Sequence, residues 1–181
     1  MRFLLFLFFI ILNGEVYAQE TYVNDKNHYT LQWSSKWKKV TSRLPVDLIL
    51  QCNSEDCDSE SRLIVNSNFT SKLKQGTNKE FFRQVPKRKF PDLVKTMVRS
   101  FGKVEHYSSI KKDNIGNMLG YIGKFDIGYF DGRKRKLLYG LTFSKGIYYH
   151  LQFFTKPFEF DNDVMQIEKV FNSFKVATSG K

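Results

Sequence analysis

Few residues of this chain are of a type and spacing that could do chemistry. Cys52 and Cys57 are its two thiols, separated as C-x-x-x-x-C. A redox motif would hold two residues between its cysteines, and this pair holds more. A zinc site would need two further ligands, and the histidines His28, His106 and His150 stand isolated, with no paired spacing. A local disulfide staple is therefore expected, with half of a zinc site as its alternative. Around Cys57 lie Glu55, Asp56, Asp58 and Glu60. Their spacing lacks the glycine and the terminal glutamate of an EF-hand loop, so Asn53 to Ser61 reads as a solvated loop tied by its disulfide rather than a calcium site.

Catalytic signatures are missing as well. The sequence holds no G-x-S-x-G, no H-E-x-x-H and no P-loop, and nothing local pairs a nucleophile with a base. The expectation is a protein that is not an enzyme, with no catalytic, metal-binding or cofactor-binding residues and no cofactor. What remains is charge. Lysine and arginine number 29 against 18 acidic residues, a formal balance of +11. Such a balance suits an anionic partner: an acidic protein, a lipid surface or an envelope polymer.

Two clusters concentrate that charge, Lys87-Arg88-Lys89 and Arg133-Lys134-Arg135-Lys136. Either could dock an anion or an acidic protein. Each could equally keep a turn solvated and a sheet edge unpaired. If they share one face they become a single docking surface. Nucleic acid is not expected, because no recognition motif accompanies the charge.

The elements that must position these residues follow from periodicity. Leu119, Tyr121, Phe125, Ile127 and Tyr129 fall on alternate positions before Asp131-Gly132. Leu137, Tyr139, Leu141 and Phe143 follow, then a Lys145-Gly146 turn, then Ile147, Tyr149, Leu151 and Phe153. Period two with Asp-Gly between runs predicts antiparallel hairpins, and places the second basic cluster at an exposed hairpin tip. After Pro157 the spacing changes to three and four at Val164, Ile167, Phe171 and Phe174, one stripe of a helix expected to cover that sheet face, with Asp161 or Asp163 as its cap. His150 alternates with Tyr149 and Leu151 and so belongs to the opposite face.

Upstream, Tyr22 to Trp33 reads as a first hairpin, with Trp33 and Trp37 as packing residues. Strands are expected over Asp47 to Gln51, Arg62 to Asn66 and Val104 to Ser109, with a turn at Asp113 to Asn117. Thr77 and Glu80 suggest a capping box for a helix carrying Phe81, Phe82 and Val85 and ended by Pro86. Pro91 opens the next helix, whose stripe is Phe90, Leu93, Val94, Met97, Val98 and Phe101, with Lys95 and Arg99 facing away and Gly102 at its end.

At the amino end, Met1-Arg2 precedes the apolar run Phe3 to Leu12 and the small residues of Val16-Tyr17-Ala18. This is the pattern of a secretory signal peptide over 1–18, too short for a bilayer span of about 20 residues. The expected product is one domain over 19–181 in the periplasm or outside the cell, with no transmembrane segment left after cleavage.

Tyr29-x-Leu31-x-Trp33 with Trp37, the strand start Gly146-Ile147-Tyr148-Tyr149-His150-Leu151 and the closing Phe171-Asn172-Ser173-Phe174-Lys175-Val176 resemble the PsbP family. That family shares its fold with the Mog protein and the bacterial DcrB-like proteins. Many members of the family have a proline shortly before the first tryptophan of the bend, whereas here Ser34-Ser35-Lys36 precedes Trp37. The resemblance implies an α+β fold, an αβα sandwich with a central antiparallel sheet of about six or seven strands and helices on both faces. It also implies a non-catalytic accessory or assembly module that binds other proteins, while the fold alone does not choose the partner.

Overall fold

The computed structural model describes residues 18–43, 45–55, 57–70 and 78–177, with only the backbone for 78 and 79. The expected leader therefore lies outside the described residues except for Ala18, and so does Thr77 of the expected capping box. No described helix is long and apolar enough to cross a membrane.

Among the described residues, ten strands form two sheets. β1 (Gln19–Asn24) and β2 (Tyr29–Ser34) make the first hairpin, and β3 (Trp37–Lys39), β4 (Leu48–Cys52) and β5 (Arg62–Phe69) follow. Then come α1 (Asn78–Gln84), a 3-10 turn at Lys87–Lys89 and α2 (Phe90–Val98). The remaining elements are β6 (Gly102–Ile115), β7 (Met118–Tyr129), β8 (Lys134–Ser144), β9 (Ile147–Thr155), α3 (Phe160–Ser173) and β10 (Lys175–Val176). The large sheet has seven strands in the order β3-β4-β5-β9-β8-β7-β6, and each neighbouring pair is antiparallel. β1, β2 and β10 form the small one.

The two predicted turns set the register of the sheet centre. Gly132 has φ 86°, and Lys145 and Gly146 have φ 46° and 83°, the left-handed pair that a two-residue hairpin needs. Residues directly opposite on paired strands share a face. On one face Tyr121, Phe125 and Ile127 of β7 join Leu137, Tyr139, Leu141 and Phe143 of β8, and Phe81, Phe90, Val94 and Val98 of α1 and α2 cover them. On the other, Leu50, Leu63, Val65, Tyr149, Leu151 and Phe153 meet Val164, Ile167 and Phe171 of α3 and Tyr29, Leu31 and Trp33 of β2. The architecture is α+β, with helices on both faces of an antiparallel sheet. Trp33 and Trp37 are buried, as expected of packing residues.

Several local expectations are corrected. The closing helix covers the face of Tyr149 and Leu151, not that of Leu137 and Tyr139. The reason is register: Leu151 of β9 lies opposite Gly140, so the two apolar sets point to opposite sides. β6 runs on through Asp113 and Asn114 to Ile115, and the chain reverses at Gly116, φ 58°. Gly102 is no helix cap; a Cβ there would lie 2.5 Å from the Gly128 carbonyl oxygen, so the glycine lets β6 approach β7. Leu93 is exposed, because α2 rests on Phe90, Val94 and Val98. Neither Asp161 nor Asp163 caps α3, whose first flanking residue is Glu159 and has no side-chain cap bond. Asp163 is instead buried, its Oδ2 accepting from Ser61 Oγ at 2.8 Å and Thr155 Oγ1 at 3.0 Å.

Candidate functional site

The basic run after the Asp131-Gly132 turn does not form one patch. Alternation along β8 sends Arg135 toward the α1–α2 side and Lys134 and Lys136 toward the α3 side, and Arg133, just ahead of the strand, lines the same cleft as Arg135. The contacts follow that division. Lys134 Nζ lies 3.7 Å from Glu105, and Lys136 Nζ sits 5.4 Å from the centre of the Phe160 ring. Arg133 packs its guanidinium 5.4 Å from the Tyr129 ring and donates from Nε to Asp131 Oδ2 at 2.8 Å. The expectation of an exposed tetrabasic tip fails at Arg135, whose side chain is only 10% exposed and is paired with Glu60.

That burial has a backbone cause. β9 ends at Thr155, opposite Lys136, so Arg135 has no strand beside it on that edge. Glu60, two residues ahead of Arg62 at the start of β5, fills the gap and binds Arg135 Nη2. Lys156 reaches the same loop, 3.1 Å from Asp58 and 3.9 Å from Glu60. The acidic loop between the cysteines and β5 is therefore not simply solvated. Its carboxylates at 58 and 60 hold Lys156 and Arg135, and the Cys52–Cys57 disulfide, with Cα atoms 6.1 Å apart, ties its base.

Between these groups lies a cleft of about 410 Å³. Phe101, Tyr129, Phe154 and Ile64 form its floor, and Arg62, Arg133, Arg135, Glu60 and Gln152 its rim. Phe101 stacks near Tyr129 at 5.1 Å between ring centres and meets Phe154 edge-on at 6.3 Å. Burial pushes the Tyr129 hydroxyl above its usual range, and Arg135 and Arg133 pull it back. Arg133 holds the Asp131 carboxyl below the usual carboxylate range. Arg62 also lines the cleft, and among the described residues it has no carboxylate partner, unlike Arg133 and Arg135. This arrangement suits an anion beside an apolar group. It contains no nucleophile bonded to a base.

Lys87, Arg88 and Lys89 are all exposed on the turn between α1 and α2. The Lys87 backbone hydrogen-bonds the Tyr121 hydroxyl, whereas Arg133 and Arg135 flank Tyr129 and Ile127 at the far end of β7. Tyr121 and Tyr129 are eight residue steps apart along β7, about 27 Å. The two basic clusters thus stand at opposite ends of the same helical layer and do not merge. Phe101, Tyr129, Phe154 and Arg62 were missed as site residues. The alternation of β8 already carried the split of the basic run, but Arg62 joins it only through the β5-β9-β8 pairing, which leaves no local signal.

No protein-family model matches the sequence, and no curated protein matches it. Solved structures do. The solution structure of cyanobacterial PsbP, CyanoP, from Synechocystis sp. PCC 6803 superposes with a TM-score of 0.63 at 16% identity, covering 91% of this chain and 96% of that one. The fold is PsbP-like. A crystal structure of a Bacteroides thetaiotaomicron protein matches with a TM-score of 0.57 at 9% identity, over 89% of this chain. The match takes in about half, 49%, of the Bacteroides chain. At these identities the PsbP-like likeness speaks for the backbone arrangement, and the residues of the cleft are argued from this chain alone.

Proposed function

We propose that the protein is an exported, non-catalytic binding module that assembles with another protein through the cleft rimmed by Arg62, Arg133 and Arg135. The observation that carries this reading is the cleft itself: guanidinium groups set over an aromatic floor are the side chains most enriched at protein–protein contacts. Export rests on the leader-like sequence of 1–18, and a disulfide at Cys52 and Cys57 fits an oxidising compartment.

A second reading, binding of anionic lipid or envelope polymer, draws on the exposed Lys87-Arg88-Lys89 turn. The two readings separate in a cross-linking pull-down from the cell-envelope fraction at low and high salt. A discrete protein retained at high salt and lost in R133Q supports assembly. Broad capture that vanishes with salt and with K87Q/R88Q/K89Q supports the surface reading.

A further inference from the structure

Within the cleft, Arg135 is already matched by a carboxylate of its own chain. Glu60 is half exposed, 50% at the side chain, while Arg135 beneath it is nearly covered. Glu60 also lies 3.9 Å from Lys156 Nζ, a second cation that could keep it when Arg135 is taken. Beside this pair stands Arg62 with no carboxylate among the described residues, and below it the Phe101, Tyr129 and Phe154 rings. One acidic side chain could therefore bridge Arg62 and Arg135 if Glu60 swings toward Lys156. An apolar neighbour of that acid would settle on the rings, in a cleft of about 410 Å³.

We infer that the cleft recognises an acidic side chain flanked by an aromatic or aliphatic one on an exposed segment of a partner protein, with Glu60 as the tethered carboxylate that the ligand displaces. The inference rests on the assembly-module reading and names the chemistry of its partner. Charge complementarity favours a peptide over a membrane. Because Lys134 and Lys136 turn to the α3 side, a flat anionic surface would meet only half of the basic run, whereas a single carboxylate reaches the buried Arg135. A bare phosphate would satisfy the arginines and leave the aromatic floor unused.

The test is fluorescence polarisation of the purified, oxidised protein with dye-labelled Ac-GFEFEG-NH2, its glutamine analogue and its alanine analogue Ac-GAEAEG-NH2. Binding of the acidic aromatic peptide should weaken about tenfold in either analogue, weaken about fivefold in R62Q and tighten about threefold in E60Q. R62Q and E60Q change exposed side chains and carry the test should R135Q fail to fold; circular dichroism checks each variant. Equal binding of the acidic and glutamine peptides, or indifference to both R62Q and E60Q, overturns the inference. So does absence of peptide binding, including the case where vesicles of phosphatidylglycerol and phosphatidylcholine are bound instead. If the pull-down yields a partner retained by R62Q, the assembly reading stands and this inference falls. Peptide binding that follows R62Q and E60Q as expected, with no partner in the pull-down, leaves the site established and removes the assembly reading.

Discussion

The Tyr139 hydroxyl and the Nδ1 atom of His150 lie 2.6 Å apart on neighbouring strands, on the sheet face that α1 and α2 cover. Burial drives the two groups in directions that agree: it raises the Tyr139 hydroxyl and lowers the His150 imidazole to about 4. Both are neutral at pH 7, and the imidazole tautomer decides which of the two atoms donates. Protonating His150 would bury a charge.

Stability should consequently fall in acid with a histidine signature. The folded pKa of His150 lies at about 4, below its ordinary 6.5, so the unfolded chain binds the extra proton first. The stabilisation is complete above pH 6.5 and is lost progressively as pH falls toward 4. Its size is on the order of 2 kcal/mol, allowing for the partial exposure of the ring. Urea unfolding at intervals across that window should show the slope in the native protein and a shallower one in H150Q. An identical slope in both would remove His150 as its source.

Asp163 works with the opposite sign. Burial raises its carboxyl above the ordinary range, against the hydrogen bonds from Ser61 and Thr155 that lower it. A raised carboxyl favours the fold at low pH, and that contribution is lost as pH rises through the folded pKa. D163N keeps an acceptor and should change stability at neutral pH by less than about 1 kcal/mol, whereas D163A should cost about 1–3 kcal/mol, because Ser61 and Thr155, 2.6 Å apart, can then satisfy only one of their two hydroxyl donors. Equal losses in both variants, read from urea midpoints, would assign the position to packing instead.

These polar pairs show where the sequence was legible and where it was not. The hairpins were readable because Asp131-Gly132 and Lys145-Gly146 announce left-handed turns between alternating runs, and the stripe Val164, Ile167, Phe171 survives intact in α3. Which face each run buries was not readable, since it depends on register: Leu137 and Tyr139 face α2 while Tyr149 and Leu151 face α3. The small sheet was equally hidden, because β10 pairs with β2 from the far end of the chain, Val176 opposite Tyr29. The same applies to the candidate cleft. Arg133 and Arg135 were visible as charge, but Glu60 and Arg62 reach them through strand pairing, and burial of Arg135 follows from where β9 stops.

Two glycines should tolerate no side chain. At Gly140 a Cβ would lie 2.8 Å from the Phe171 ring and 3.0 Å from Ile115 Cδ1, both buried and hemmed in. At Gly116, φ 58°, it would run into the Phe174 carbonyl oxygen, which is backbone and has no freedom to move aside. G140A should lose about 1–3 kcal/mol by overpacking, and G116A at least as much, from strain added to the clash. G132A is the control: its φ is 86° but nothing lies within 4 Å, so it should lose only about 1 kcal/mol from conformation. Thermal unfolding of the three variants tests the order, and a G132A loss as large as that of G116A would refute the packing explanation.

The disulfide carries a prediction that joins the fold to the cleft. It closes a loop of five residue steps, from Cys52 to Cys57, and so should contribute only about 2 kcal/mol by restricting the unfolded chain. Its local effect should be larger than that figure suggests, because Asp58 and Glu60 follow Cys57 directly and hold Lys156 and Arg135. Reduction or C52S/C57S should lower the urea midpoint modestly while markedly increasing backbone amide exchange over residues 57–61 and at the start of β8. Protection in those two segments that stays unchanged on reduction would mean that the ion pairs hold the loop without the disulfide, and that Cys52 and Cys57 act on the unfolded chain alone.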